Sequence, residues 1–278
     1  MNYATLHQIR SYLKLSEYEM NDDALLTNLL GISSQWIERY CDRRYDISLQ
    51  DRVYTIPSDQ DYLMLDADLM QLITLTNGDG TQIPSSAYRL TPANFFPKHS
   101  IYLKNVTWQY DDDGFAEDAI KVKGLWGYHT SLEKAWIISG DTIQDTQLSI
   151  STSEISVSDV NGITCDLISP RFQTGQVIQI DDEQLLIAGI DTDKNIMSIK
   201  RATNGTNAAA HAIDTTIYIY RPMENIVMAT IRLAAWRYKQ KDVDSNDGRT
   251  ILLSGAQIIP SGIPTDITRI LPVTRRSL

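Results

Sequence analysis

Cysteine is scarce: Cys41 and Cys165 are the only two in 278 residues. They lie far apart, one in a helical pattern and one in a strand-like pattern. A zinc site built from Cys-x-x-Cys within one loop is excluded, and two reduced thiols fit this usage better than a structural disulfide. The four histidines, His7, His99, His129 and His211, show no His-x-x-x-His spacing. Surface positions or local hydrogen bonds explain them better than metal ligation. A Gly-rich phosphate loop ending in Lys-Ser/Thr is missing, and so is a Gly-x-Ser-x-Gly elbow. No apolar run approaches the ~18 residues of a membrane span. The opening MNYATLHQIRSYLKL has polar residues every few positions, unlike a signal peptide. Basic residues are outnumbered, 25 Lys+Arg against 35 Asp+Glu, for a net charge of -10. Such a chain is a poor non-specific nucleic-acid binder, because binding replaces condensed counterions with Lys and Arg. It can still surround DNA without adhering to it.

What remains is globular composition, 42% hydrophobic and 22% charged, which excludes a wholly disordered chain. The length corresponds to roughly two domains. Leu6, Ile9 and Leu13 fall on one face of a first helix. Asn21 is placed to cap a second helix, with Asp22 and Asp23 in its first turn facing the helix dipole favourably. Leu25, Leu26, Leu29, Leu30, Ser33, Trp36, Ile37 and Tyr40 continue as a packing stripe. From about Asp51 the pattern becomes short and alternating: Arg52–Ile56, Tyr62–Leu65, Leu69–Leu75, Gln82–Ile83, Tyr88–Leu90, Ile101–Leu103 and Ile120–Val122. Asn77-Gly78-Asp79-Gly80 is a tight-turn signal. The block closes at Gly124-Leu125-Trp126-Gly127-Tyr128, where the glycines allow close backbone approach or a sharp bend. Trp126 there could offer a stacking platform, but no basic patch surrounds it.

A second β block spans about Ser131 to Tyr220, with strands expected at Gln147–Ser158, Gly175–Asp181, Gln184–Ile190, Asn195–Arg201 and Thr216–Tyr220. Pro222 then opens a returning helix through Ile226, Thr230, Leu233 and Trp236 to about Lys241. The remainder, broken by Pro260, Pro264 and Pro272, reads as an extended arm with short strands at Gln257–Ile259 and Ile267–Leu271. The expected fold class is therefore α+β: a small helical bundle with an antiparallel β insertion, a second all-β inserted domain and an extended C-terminal arm. The boundaries are 1–130, 131–221, 222–249 and 250–278.

Acidic clusters are the remaining chemical candidates. Asp242 to Gly248 opens like a calcium loop, but its glycine comes one place late and Leu253 stands where a bidentate Glu is needed. Asp111-Asp112-Asp113-Gly114 and Asp181-Asp182-Glu183 read as solvated turns. Asn105 and Asn204 match the glycosylation sequon by chance.

The helix pair around Ile9-Arg10-Ser11-Tyr12-Leu13-Lys14-Leu15 and Asp22-Asp23-Ala24-Leu25-Leu26, ending in Trp36-Ile37-Glu38-Arg39-Tyr40-Cys41-Asp42-Arg43-Arg44-Tyr45, resembles the start of the head-tail connector (adaptor) proteins of tailed bacteriophages. Tyr88-Arg89-Leu90, Pro97, Ile101 and the Gly124–Tyr128 closure look like the β insertion of longer members. Met223–Tyr238 looks like their later helix, and Ile259-Pro260-Ser261-Gly262-Ile263-Pro264 with Ile270-Leu271 like their arm. The second β block departs from compact members.

The resemblance implies a structural, non-enzymatic protein without cofactor or metal, sited in the virion neck and in the host cytoplasm during assembly. Its partners would be further copies in a twelve-fold ring, the portal protein, and a tail-side connector, stopper or tail protein. DNA would pass through without specific binding, and no membrane is involved. Ring contacts are expected from Leu26, Leu30, Trp36, Tyr40, Ile226, Leu233 and Trp236, because the apolar stripes exceed what a three-helix core needs. Portal contacts are expected from Ile258, Ile259, Pro260, Ile263, Ile267, Ile270, Leu271, Arg275 and Arg276. Three rivals stand beside this: a receptor- or glycan-binding virion module carried by residues 131–220, a carboxylate-dependent hydrolase, and an α+β protein of unrelated role.

Overall fold

The computed structural model describes residues 1–16, 18, 20–59, 61–241, 250–251, 257–258 and 262–271. The Asp242–Gly248 loop, Leu253, and the arm positions Ile259, Pro260, Arg275 and Arg276 lie outside the described residues. In chain order the elements run α1 (Leu6–Leu13), α2 (Asp23–Cys41), β1 (Ser48–Tyr54), β2 (Tyr62–Thr76), β3 (Tyr88–Thr91), β4 (Lys98–Leu103), β5 (Ile120–Trp126), α3 (Leu132–Ala135) and β6 (Trp136–Thr142). They continue with β7 (Gln147–Leu148), β8 (Glu154–Ser156), β9 (Val177–Ile180), β10 (Glu183–Asp191), β11 (Ile196–Lys200), β12 (His211–Ala212), β13 (Thr216–Tyr220), α4 (Glu224–Lys239), β14 (Thr250–Ile251), β15 (Gln257–Ile258) and α5 (Thr265–Ile270). The architecture is α+β. Two compact units divide the chain: Met1–Asp42 with Gln173–Gly175 and Pro222–Leu278, and Arg43–Phe172 with Gln176–Arg221.

The first unit is helical. Thr5 opens α1 with a capping box: its hydroxyl accepts from Gln8 N, and the Gln8 side chain accepts from Thr5 N at 2.9 Å. Ala4, Ile9, Leu26, Leu30, Ile231 and Ala234 form the core, with Leu6 and Leu13 packed against it. Helices α2 and α4 are in contact, and the buried residues of both include small ones, Ser33 and Ser34 in α2 and Ala229 and Thr230 in α4. Two of their hydroxyls are satisfied within their own helices: Ser34 donates to Leu30 O at 2.9 Å and Thr230 to Ile226 O at 2.8 Å. Helix α2 starts one residue later than its sequence suggests. Asp22, not Asn21, holds the N-cap position, and its carboxylate does not cap. It accepts instead from Tyr238 Oη and Lys241 Nζ, each at 2.5 Å, which ties the start of α2 to the end of α4.

The extended reading of Ile267–Leu271 is corrected. These residues contribute to α5, which Pro264 precedes at the N-cap position. Pro264 opens a short helix rather than forbidding one, since proline is compatible with a helix start. Ile267 and Leu271 are buried, and Asn225 Nδ2 donates to Ile270 O at 3.3 Å. We expect Ile267→Ala to cost about 2–4 kcal/mol in urea unfolding. A surface strand at this position would lose under about 0.5 kcal/mol.

In the second unit an antiparallel sheet is ordered β1-β5-β2-β4-β3. Leu63, Leu65, Leu69, Leu75, Ile101, Ile120, Val122 and Trp126 fill its core. The two runs Tyr62–Leu65 and Leu69–Leu75 are one continuous strand, β2, whose register shifts mark bulges. Asp66 and Asp68 lie between those runs, and carboxylates seldom lie inside a strand. Here Asp66 accepts from Arg52 at 2.9 Å and Tyr54 at 2.5 Å, and Asp68 lies 3.7 Å from Arg43. Gln82 makes only an isolated bridge to Thr76. Trp126 is no stacking platform. It is buried, its indole N–H donates to Gln50 O at 3.2 Å, and Arg52 covers its ring at 4.7 Å.

The other sheet of this unit is ordered β6-β13-β9-β10-β11-β8. Ile155, Phe172, Ile178, Ile180, Leu185, Ile187, Met197, Ile217 and Ile219 lie in its core. The edge strand β6 was not marked by alternation, since Ser139, Gly140 and Asp141 interrupt its apolar positions. The segment around Gly205 lies on β1: a Cβ at Gly205 would sit 2.1 Å from Leu49 O.

Candidate functional site

Helix α2 carries two apolar faces. Leu26, Leu30, Ile37 and Cys41 are buried, and Leu26 and Leu30 belong to the unit's core. Leu25, Ile32, Trp36 and Tyr40, spaced by seven, four and four residues, form a second ridge about 100° away around the helix. Ile32 is 51% exposed, and Trp36 and Tyr40 are half-buried with rings stacked at 4.9 Å. Stacking fixes both side chains, so a contact here would cost little further side-chain entropy. Of the residues expected at ring contacts, Leu26, Leu30, Ile226 and Leu233 are buried within the chain. Trp36, Tyr40 and Trp236 remain half-exposed. The sequence stripe merged two faces into one, which is why Ile32 was missed.

A groove of about 170 Å³ opens in the helical unit. Tyr12 of α1, Arg232, Ala235, Trp236 and Lys239 of α4, and Pro264, Asp266 and Ile267 at α5 line it. The α4 residues recur at three and four positions, so one helix face supplies them. Arg232 pairs with Asp266 across the groove. The volume is below the ~300 Å³ at which small-molecule and cofactor sites begin; it suits one side chain. Among the described residues, no group of three or more His, Cys, Asp or Glu side chains is arranged to hold a metal. No described helix is long and apolar enough to cross a membrane. Of the expected portal contacts, Ile267 and Leu271 are buried, Ile263 and Ile270 are half-buried, and Ile258 lies in β15, its side chain outside the description.

The Asp181-Asp182-Glu183 segment is a turn, as its sequence suggests, joining β9 to β10 with Asp181 left-handed at φ 50°. Glu183, however, is buried rather than solvated. Its carboxylate accepts from Arg201 Nε at 3.0 Å and Nη2 at 2.5 Å, from Ala202 N and Ala209 N at 3.0 Å each, and lies 2.9 Å from His211 Nε2. His211 Nδ1 lies 2.7 Å from Asp181. Burial pushes the Glu183 carboxyl up. The hydrogen bonds from Arg201, Ala209 N–H, His211 and Ala202 N–H outweigh that and bring it to about 2. Every direction around the carboxylate is occupied by a protein donor, so this cluster clamps the chain and leaves no room for a ligand.

No protein-family model and no curated protein matches the chain. Among solved structures, the chain has a distant likeness to one described as the neck of an empty GTA particle computed with C6 symmetry. The two are 17% identical over 47% of this chain and 68% of that chain, with a TM-score of 0.34.

Proposed function

We propose that the chain is a structural head-to-tail adaptor of a tailed bacteriophage. Copies pack side by side in a ring under the portal, extend the DNA channel, and offer the surface to which a tail-side protein attaches. The observation that carries this reading is the second apolar face of α2. A monomeric three-helix core has no use for Leu25, Ile32, Trp36 and Tyr40 in line on its outside. The sequence pattern at both ends of the chain agrees with it, and the net charge of -10 suits a wall that DNA slides past.

Electron microscopy of particles assembled without this gene tests the reading. Heads with detached tails are expected; complete particles with normal tails would overturn it. Portal docking by the arm is tested by removing residues 272–278. A cut at Pro260 would also remove the buried Ile267 and Leu271 and so damage the bundle. Truncation after Leu271 is expected to abolish portal capture and leave the melting temperature unchanged. Normal capture by that variant would exclude the terminal residues as the docking segment.

A further inference from the structure

We infer that the Tyr12–Trp236 groove of one copy receives the acidic turn Asp111–Phe115 of the next. This deepens the ring reading, on which it rests, by naming both halves of one contact between copies.

The groove is lined by apolar Trp236 and Ile267 and by two cations, Arg232 and Lys239, of which Arg232 is paired with Asp266, so its net charge is positive. Helix α4 carries Arg232, Arg237 and Lys239 against one acid, Glu224; with Asp266 of α5 offsetting Arg232, a net positive surface remains on an acidic protein. Tyr12 is 45% exposed at the mouth. An occupant should therefore bring one apolar side chain flanked by carboxylates.

The chain has such a segment in its other unit. Residues 111–118 read DDDGFAED, five carboxylates and no cation around Phe115. Phe115 is 60% exposed and Tyr110 54%. The turn is rigid: Asp111 Oδ1 accepts from Asp113 N at 3.1 Å and from Phe115 N at 2.7 Å, and Gly114 N donates to Asp111 O at 3.0 Å. Its base is pinned by Asn77, which accepts from Gln109 N at 2.8 Å and donates to Thr107 O at 3.0 Å. A presented aromatic already held in place binds with little ordering cost. The chain's own last residues, Pro272–Leu278, fit less well, because Arg275 and Arg276 meet the positive lining with no carboxylate side chain of their own. Groove and turn are different surfaces, so the contact is heterologous: repeated, it closes into a ring or runs on as a filament, according to its rotation.

Sedimentation velocity of the full chain tests this. Self-association should appear at about 100 µM protein in about 50 mM salt and weaken as salt approaches about 500 mM. Phe115→Ala should weaken it about thirtyfold, as loss of an aromatic anchor does. Lys239→Glu, and Asp112→Lys with Asp113→Lys, should each weaken it about tenfold, while the two sets combined should recover to within about threefold of wild type. All four positions are exposed, so circular dichroism should show each variant folded. A wild type that stays monomeric at low salt overturns the contact, as does association indifferent to Phe115 or charge reversals that fail to rescue each other. Those outcomes leave the ring reading standing, since a portal can template a ring; only the particle experiment removes that.

Discussion

Glu183→Ala should cost about 3–5 kcal/mol at neutral pH, the largest loss expected from any single side chain outside the apolar cores. The figure comes from what truncation leaves behind, not from the attraction it removes. Arg201, with 9% of its side chain exposed, would keep its charge and lose its carboxylate. His211 would lose the partner of its Nε2, and the amides of Ala202 and Ala209 would lose their acceptor. Glu183→Gln keeps the shape and one acceptor oxygen and should fall between. The acid dependence follows from linkage. The folded carboxyl lies at about 2 against an ordinary 4.5, so the unfolded chain takes up protons first as pH falls. The stabilisation is complete above about pH 4.5 and is lost as pH drops toward 2, on the order of 3 kcal/mol in all. Thermal melts of wild type and Glu183→Gln at pH 7 and near pH 2.5 should show the gap between them narrowing in acid. A gap that stays constant would mean that charge contributes nothing to the cluster.

Gly127→Ala should be comparably damaging for a purely steric reason. Gly127 holds φ +145°, and a Cβ there would lie 2.1 Å from Asp46 O and 2.9 Å from Asp46 C. The neighbouring backbone cannot yield easily. Gly127 N donates to Asp68 O at 2.8 Å, Tyr128 N donates to Arg44 O at 2.7 Å, and Asp46 is itself buried. Strain and displacement together should exceed about 4 kcal/mol and lower the melting temperature by roughly 10 °C. Gly80→Ala is the matched control: its φ is also positive, +78°, but nothing lies within 4 Å of the added carbon. It should lose only about 1 kcal/mol. Equal losses from the two variants would show that backbone conformation, not the close approach, decides the effect.

Local patterns were legible where the chain acts on its immediate neighbours. Leu6, Ile9 and Leu13 share a helix face, the Asn77–Gly80 segment turns the chain, and the Gly124–Gly127 stretch lets backbones meet: a Cβ at Gly124 would stand 2.5 Å from Gln71 O. Distant compensation was hidden. Asp66 and Asp68 sit inside a strand because Arg52, Tyr54 and Arg43 answer them from elsewhere in the chain. The Glu183 cluster gathers residues 18 and 28 positions away through strand register, which no spacing rule reports. The α2 ridge was hidden by its neighbour, because a linear stripe cannot distinguish a buried face from an exposed one beside it. The groove left a faint signal in Arg232, Ala235, Trp236 and Lys239, whose spacing a charge-aware helix reading would have noticed.

The division of the chain also sets a schedule. During synthesis α1 and α2 are finished at Asp42, but α4 begins only after Pro222. At ribosomal speed the roughly 180 residues between them take about 10–40 s to make. The β unit can complete itself in that interval, whereas the first two helices wait with both apolar faces of α2 uncovered. Newly made chains are therefore most prone to stick to one another, or to a chaperone, just before their last fifth emerges. Co-production in quantity should reward slower translation or a holdase until α4 arrives to shield Leu26 and Leu30.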